Sequence, residues 1–179
     1  MAFAITDFKS NLTGGGARSS LFEVELLYPS QITAPTPIPS KFLVKGTSIP
    51  ASTIGAFQVF YHGKAINVAG DRTFDTWETT IINDEDYSIR IAIEQWMDLI
   101  SNHVLNTRNG EFSTKEGEAA DYKQTLKVTQ HKKSGNEAWH YHFIGAFPTL
   151  LGAIALDWAT QEIEAVSYTH LTLPTNREV

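Results

Sequence analysis

The sequence predicts a mainly β protein, a barrel or sandwich of about eight strands with one flanking α-helix at about residues 84–101. Three observations carry that expectation. Apolar residues alternate with period two in several separate segments, and a two-residue His62-Gly63 connection joins two of them. One stretch alone, from Ile89 to Ile100, changes to a spacing of three or four. A chain of 179 residues with 42% hydrophobic content encloses one core of ordinary size, so a single main domain is expected, over residues 21–165.

Taken in order, residues 1–20 contain Gly14-Gly15-Gly16 and read as a flexible N-terminal arm. Leu21 to Tyr28 places Phe22, Val24 and Leu26 on one face and Glu23 and Glu25 on the other, the pattern of a half-buried strand. Pro29, Pro35, Pro37 and Pro39 make a loop that cannot donate a regular ladder, and a short strand is expected at Lys41 to Lys45. Ile54 to Tyr61 and Lys64 to Ala69 flank the His62-Gly63 turn, where glycine supplies a positive φ. Phe74 to Ile82 is aromatic and β-branched and is expected to add a neighbouring strand. In the helix, Ile89, Ile93, Trp96 and Ile100 form the apolar stripe, and Asn83 or Asp84 caps its start. The polar stretch 102–121 reads as a long loop. Tyr122 to His131 and Ala138 to Phe147 read as a hairpin, and Ala153 to Trp158 as a further short strand.

Composition narrows the function classes. Zero cysteines exclude a disulfide framework, a thiolate metal site and a cysteine nucleophile. A net charge of -6 is the wrong sign for a surface that holds phosphates, although a channel of like charge would let DNA slide without adhering. No segment reaches the ~20 apolar residues of a membrane span, and no signal peptide is evident. The chain reads as soluble, without a membrane partner.

The segment Lys64 to Asp84, KAINVAGDRTFDTWETTIIND, runs strand to strand through what reads as a Gly70-Asp71 turn, then through Trp77 to the helix start. With Leu21 to Leu26 before it, and Gly145 to Thr149, Leu156-Asp157-Trp158 and Glu162-Ile163-Glu164 after it, it strongly resembles the tail tube proteins of contractile-tailed, myovirus-type bacteriophages. The matching positions are Asn67, Gly70, Asp71, Arg72, Phe74, Trp77, Asn83, Asp84, Pro148, Asp157 and Trp158, expected in assembly or in the core. The resemblance implies a tail-tube-type β-barrel or sandwich, six copies closing into a ring, and rings stacked into a tube. It also implies sheath and baseplate partners, a lumen that passes DNA without specific binding, and a place in the virion after assembly in the host cytoplasm. The sequence departs from the family pattern in a longer loop at Pro29 to Ser40. It departs again after Glu164, where Val166 to Val179 resembles a transposase-based sequencing adapter read as coding sequence. Residues 166–179 are therefore expected to be a non-native tail. The plain alternative is a polar tail with a strand-like Tyr168 to Leu173.

Other constellations favour bland explanations. His131, His140 and His142 could meet a metal, but no carboxylate or cysteine completes the set and a surface strand explains them. Asp84, Glu85 and Asp86 are accounted for by capping and the helix dipole rather than magnesium. Gly70-Asp71-Arg72 lacks the glycine spacing of a phosphate loop; Asp71 is expected to hold its own backbone, and Arg72 to pair with Asp71 or Asp75. Trp77, Trp96, Trp139 and Trp158 fit core or interface anchors. No catalytic constellation or cofactor site is present in the sequence, so a structural subunit is expected. Two other classes stay open: the tube of a related contractile injection or secretion system, and a monomeric ligand-binding β-barrel using His140 and His142.

Overall fold

The computed structural model describes residues 5–32, 40–104, 107–108 and 122–171. Helix α1 (Ile5–Asn11) and a 3-10 turn (Thr13–Gly15) precede β1 (Phe22–Glu25). A short α2 (Ser40–Leu43) leads into β2 (Val44–Thr47), β3 (Ser52–Tyr61), β4 (Lys64–Phe74) and β5 (Trp77–Ile82). Helix α3 (Ser88–Ile100) follows, then β6 (Ser101–Asn102), β7 (Thr107–Arg108), β8 (Gln124–His131), β9 (Glu137–Leu151) and β10 (Ala165–Leu171). Eight of these strands are longer than two residues. That matches the expected mainly β architecture with one long helix.

Six strands form one antiparallel sheet in the order β1-β8-β9-β10-β5-β2. The 15-residue β9 is its spine: positions up to Ala146 pair with β8, and positions from Phe147 onward pair with β10. The edge strands β1 and β2 are drawn together by α2. Lys41 reaches Glu23 at 2.8 Å and Glu25 at 2.5 Å, so the helical turn that introduces β2 is tied to β1. The hydrogen-bonded ammonium of Lys41 holds the Glu23 carboxyl below its ordinary range. This turn replaces the first half of the strand expected at Lys41 to Lys45, and the strand begins at Val44.

One face of the sheet and α3 enclose the core. Alternation puts Trp77 and Ile81 of β5, Leu126 and Val128 of β8, and Val24 of β1 inside; in β9 a register shift at Gly145, where φ is 66°, lets both Phe143 and Ala146 face the core. Ile89, Ala92, Ile93 and Trp96 supply the helix's buried stripe, as its spacing predicts. Trp77 stacks on Phe143 with centroids 4.5 Å apart and donates Nε1–H to Thr47 Oγ1 at 2.8 Å. Trp96 donates to the Tyr122 carbonyl at 2.7 Å, so both large aromatics bury their area without orphaning a donor.

The segment after Glu164 lies inside this sheet. Strand β10 sits between β9 and β5, with Val166, Tyr168 and His170 buried. Alternation alone suffices for that slot, whatever the segment's origin, and residues 172–179 lie outside the described residues. Most of the Pro-rich loop and of 102–121 also lie outside them.

Candidate functional site

The feature that the core does not absorb is the β3–β4 hairpin. It is a two-stranded ribbon of its own, paired from Ser52↔Phe74 to Tyr61↔Lys64, and it does not join the six-stranded sheet. Three neighbouring strands were expected from this part of the sequence; only β5 enters the main sheet. The turn is as predicted but stronger, since both His62 and Gly63 have positive φ, at 46° and 80°. That geometry matches the right-handed twist of a tight hairpin.

The hairpin carries its apolar residues into solvent. Phe57 lies opposite Val68, Val59 opposite Ile66, and Tyr61 completes the same face. Phe60, on the other face, is 72% exposed, and no residue of β3 is buried. A lone hairpin is at best marginally stable in water, and an apolar face of this extent needs a cover.

Gly70 and Asp71 are not a turn. Strand β4 is continuous through them, and the register shift opposite Gly55 places two residues against one, a β-bulge. A side chain at Gly70 would come within 3.3 Å of the Gly55 carbonyl oxygen, so glycine here permits two backbones to approach rather than a reversal of direction. The expected Asp71 side-chain bond to its own backbone is absent among the described residues, as is the Arg72 pairing with Asp71 or Asp75. Arg72 and Phe74 instead line a cleft of about 390 Å³ at the hairpin's base, facing Tyr141 and Phe143 of β9. Asn67 pairs with Gln58 midway along the ribbon.

The remaining motif positions lie elsewhere. Trp77 is core. Asn83 donates Nδ2–H to Glu164 Oε1 at 2.7 Å, clamping the end of β5 to the start of β10. Asp84 caps α3 from a distance: its carboxylate accepts from the Ser88 N–H at 2.9 Å and the Ser88 hydroxyl at 2.6 Å. The helix starts at Ser88 rather than residue 84 because Tyr87 takes a left-handed conformation, with φ of 51°. Glu164 raises the Tyr87 hydroxyl's pKa, first by its charge and then by accepting its hydrogen bond.

Pro148 is buried in β9 opposite His170, where the β9–β10 register shifts and its missing N–H is tolerated. Asp157 shapes a turn by accepting the Ala159 N–H at 3.0 Å. The strand expected at Ala153 to Trp158 is a loop: Gly152 still donates its N–H to the Ser167 carbonyl at 2.9 Å, but the residues after it join no strand among the described residues. Trp158 is fully exposed at 106%. The histidines do not assemble a centre: His140 and His142 contact edge to face at 5.0 Å, while Glu137 engages His140 and Glu23 faces His131. No group of three metal-binding side chains occurs among the described residues. No helix of the described residues is long and apolar enough to cross a membrane.

Sequence reasoning missed the exposed apolar hairpin face. Its signal was present in β3, where both alternating sets contain large apolar residues, a pattern that reads equally as a strand buried on two sides.

An antiparallel sheet packed on one long helix, with an apolar hairpin projecting from it, is the architecture of the described residues. The chain belongs to the phage tail tube protein family, whose model matches residues 17–170. It is 31% identical over 159 residues to the tail tube protein gp19 of Enterobacteria phage T4, covering 88% of this chain and 89% of that protein. Against gp19 of Enterobacteria phage T6 the identity is 30% over the same length. The fold is shared with two solved structures of contractile machines. One is a tube-terminating cap of the anti-feeding prophage (TM-score 0.64, 14% identity, 90% of each chain). The other is a sheath/tube terminator of an extracellular contractile injection system (TM-score 0.63, 13% identity, 90% of this chain and 96% of that one).

Proposed function

We propose that this chain is the repeating subunit of a phage tail tube, closing into rings, six-fold by family resemblance, that stack into a channel conducting DNA. The observation that carries this reading is the β3–β4 ribbon, apolar, exposed and with two unpaired edges. A second copy is the occupant with the right chemistry, because its own ribbon offers matching edges and a matching apolar face. The β3 edge of one copy against the β4 edge of the next is a heterologous contact, and such contacts make a ring where the rotation closes. Sheath and baseplate proteins are the outer partners, and the acidic balance suits a lumen that repels phosphates. The site in this reading is the motif Asn67 to Phe74 on the ribbon, with Trp77, Asn83, Asp84 and Pro148 supporting the body that presents it.

Fold likeness to injection-system proteins supports the related reading, an injection-machine tube. The much higher sequence identity to phage tail tube proteins favours the phage. The test is electron microscopy and light scattering of the purified chain at high concentration. Rings or tubes are expected; a protein that remains monomeric throughout would overturn the proposal.

A further inference from the structure

The two ends of the sheet differ in charge and shape. Strand β9 separates them: 15 residues at roughly 3.3 Å each give a contour on the order of 45 Å. At its start, the β8–β9 turn meets the glycine-rich arm in a recess of about 580 Å³ that includes Gly14, Gly16, Arg18, His131, Lys132 and Lys133. Lys133 is folded over the arm, since a side chain at Gly15 would meet its Nζ at 3.0 Å. Of the nearby carboxylates, Glu23 is held by Lys41 and by the recess's own His131, and Glu137 by His140. Arg18, Lys132 and Lys133 have no carboxylate partner among the described residues.

At the other end, the loop from Gly152 to Glu164 projects beside the Asp84-Glu85-Asp86 turn, fixed there by the Asn83 N–H donating to the Glu164 carbonyl at 3.0 Å. This end carries Glu85, Asp86, Asp157 and Glu162, while its neighbouring cation Arg90 is spent on Glu94 at 2.9 Å. It also holds out Leu156, Trp158 and Ile163, each more than three-quarters exposed. One chain therefore presents an acidic, aromatic-tipped projection and, a sheet's length away, a cationic recess.

We propose that successive copies meet end to end, with the Trp158 loop of one copy seated in the Arg18–Lys133 recess of the next. This rests on the tube reading and names its axial contact, a surface distinct from the β3–β4 ribbon. The contact is heterologous and cannot close on itself within a pair, so it propagates as a stack. Opposite charge sets the polarity and Trp158 anchors it, since charged rims give orientation while a buried aromatic gives affinity.

Because the chain has no cysteine, a disulfide test is clean. Ser134→Cys and Ala159→Cys, both at exposed positions and the second beside the intact Trp158, are made in separate full-length chains, mixed and mildly oxidised. The expected product is the mixed 134–159 dimer, and the double variant should give a ladder of covalent oligomers. Yield should drop several-fold in 1 M salt, where the Debye length shrinks to about 3 Å. Adding Lys132→Glu and Lys133→Glu should reduce it similarly, with recovery when Asp157→Lys and Glu162→Lys are placed in the partner. Homodimers through 159–159 or 134–134, or charge reversal without effect, would overturn the proposal. Tubes without the mixed disulfide would refute this contact and leave the tube reading standing. A ladder without tubes would support the contact and refute the tube reading.

Discussion

Replacing His170 with leucine should stabilise the folded subunit and remove part of its acid sensitivity. His170 is fully buried on β10, between Trp77 at 5.3 Å and Trp96 at 6.1 Å between ring centroids, and neither ring nitrogen has a hydrogen-bond partner. Each buried unsatisfied polar atom costs about 1–3 kcal/mol, and leucine removes both at a modest packing penalty of up to about 1.5 kcal/mol. With the lower cost at each nitrogen and the full packing penalty, a net gain of about 0.5 kcal/mol at pH 7.5 remains as the floor, or roughly 1–2 °C in Tm for a chain of this size. Burial also lowers the imidazole pKa from 6.5 to about 4. The sign is fixed by proton uptake: between those values the unfolded chain is protonated and the folded chain is not, so stability falls as pH drops from about 6.5 to 4. Below 4 the loss is complete. Linkage sets it at about 2 kcal/mol at pH 5, approaching about 3 kcal/mol in full. Urea denaturation of dilute monomer at pH 7.5 and pH 5 measures both quantities. The leucine variant should lose about 2 kcal/mol less than the parent on acidification. Equal losses, or a variant less stable at pH 7.5, would refute the placement of a neutral, unpartnered His170 in this core.

Three further predictions test other parts of the fold. Gly152→Ala places a methyl group 2.7 Å from the Ser167 carbonyl oxygen, so it should destabilise the subunit by about 1–3 kcal/mol, read by urea denaturation. Asp84→Ala removes both acceptors for Ser88, so far-UV circular dichroism during unfolding should show a loss of about 1 kcal/mol, and Asp84→Asn should recover part of it. Phe57→Lys with Phe60→Lys should leave monomer stability within about 0.5 kcal/mol because both side chains are exposed, while light scattering shows assembly suppressed.

The sequence and the structure agree where the chain satisfies itself. Phe22, Val24 and Leu26 alternate inward as their spacing demands, and Ile89, Ile93 and Trp96 seat α3 on the sheet. His62-Gly63 turns where a positive φ is available. These are local rules acting on residues whose partners lie within the same chain. The resemblance in Lys64 to Asp84 was legible too, but the internal geometry of that motif was not. A glycine followed by aspartate reads as a turn, whereas here the glycine faces Gly55 and serves a bulge in an unbroken strand.

The two larger departures share a physical cause. Ribbon β3–β4 was expected to adjoin β5 in one sheet, and Ala153 to Trp158 was expected to be a strand, because both segments have strand-like apolar patterns. A pattern rule assumes that apolar residues spaced for burial will find their cover inside the same domain. In this chain Phe57, Phe60, Leu156 and Trp158 do not, while the core closes without them. Conformity to strand periodicity without an intrachain partner is what a sequence built for a polymer should display, since its missing neighbours are supplied by other copies. The same places that defeat a single-domain reading therefore mark the surfaces proposed for assembly, the ribbon laterally and the Trp158 loop along the stack. The two should fail independently: disrupting Phe57 and Phe60 should abolish rings, whereas disrupting Trp158 should leave rings that do not stack.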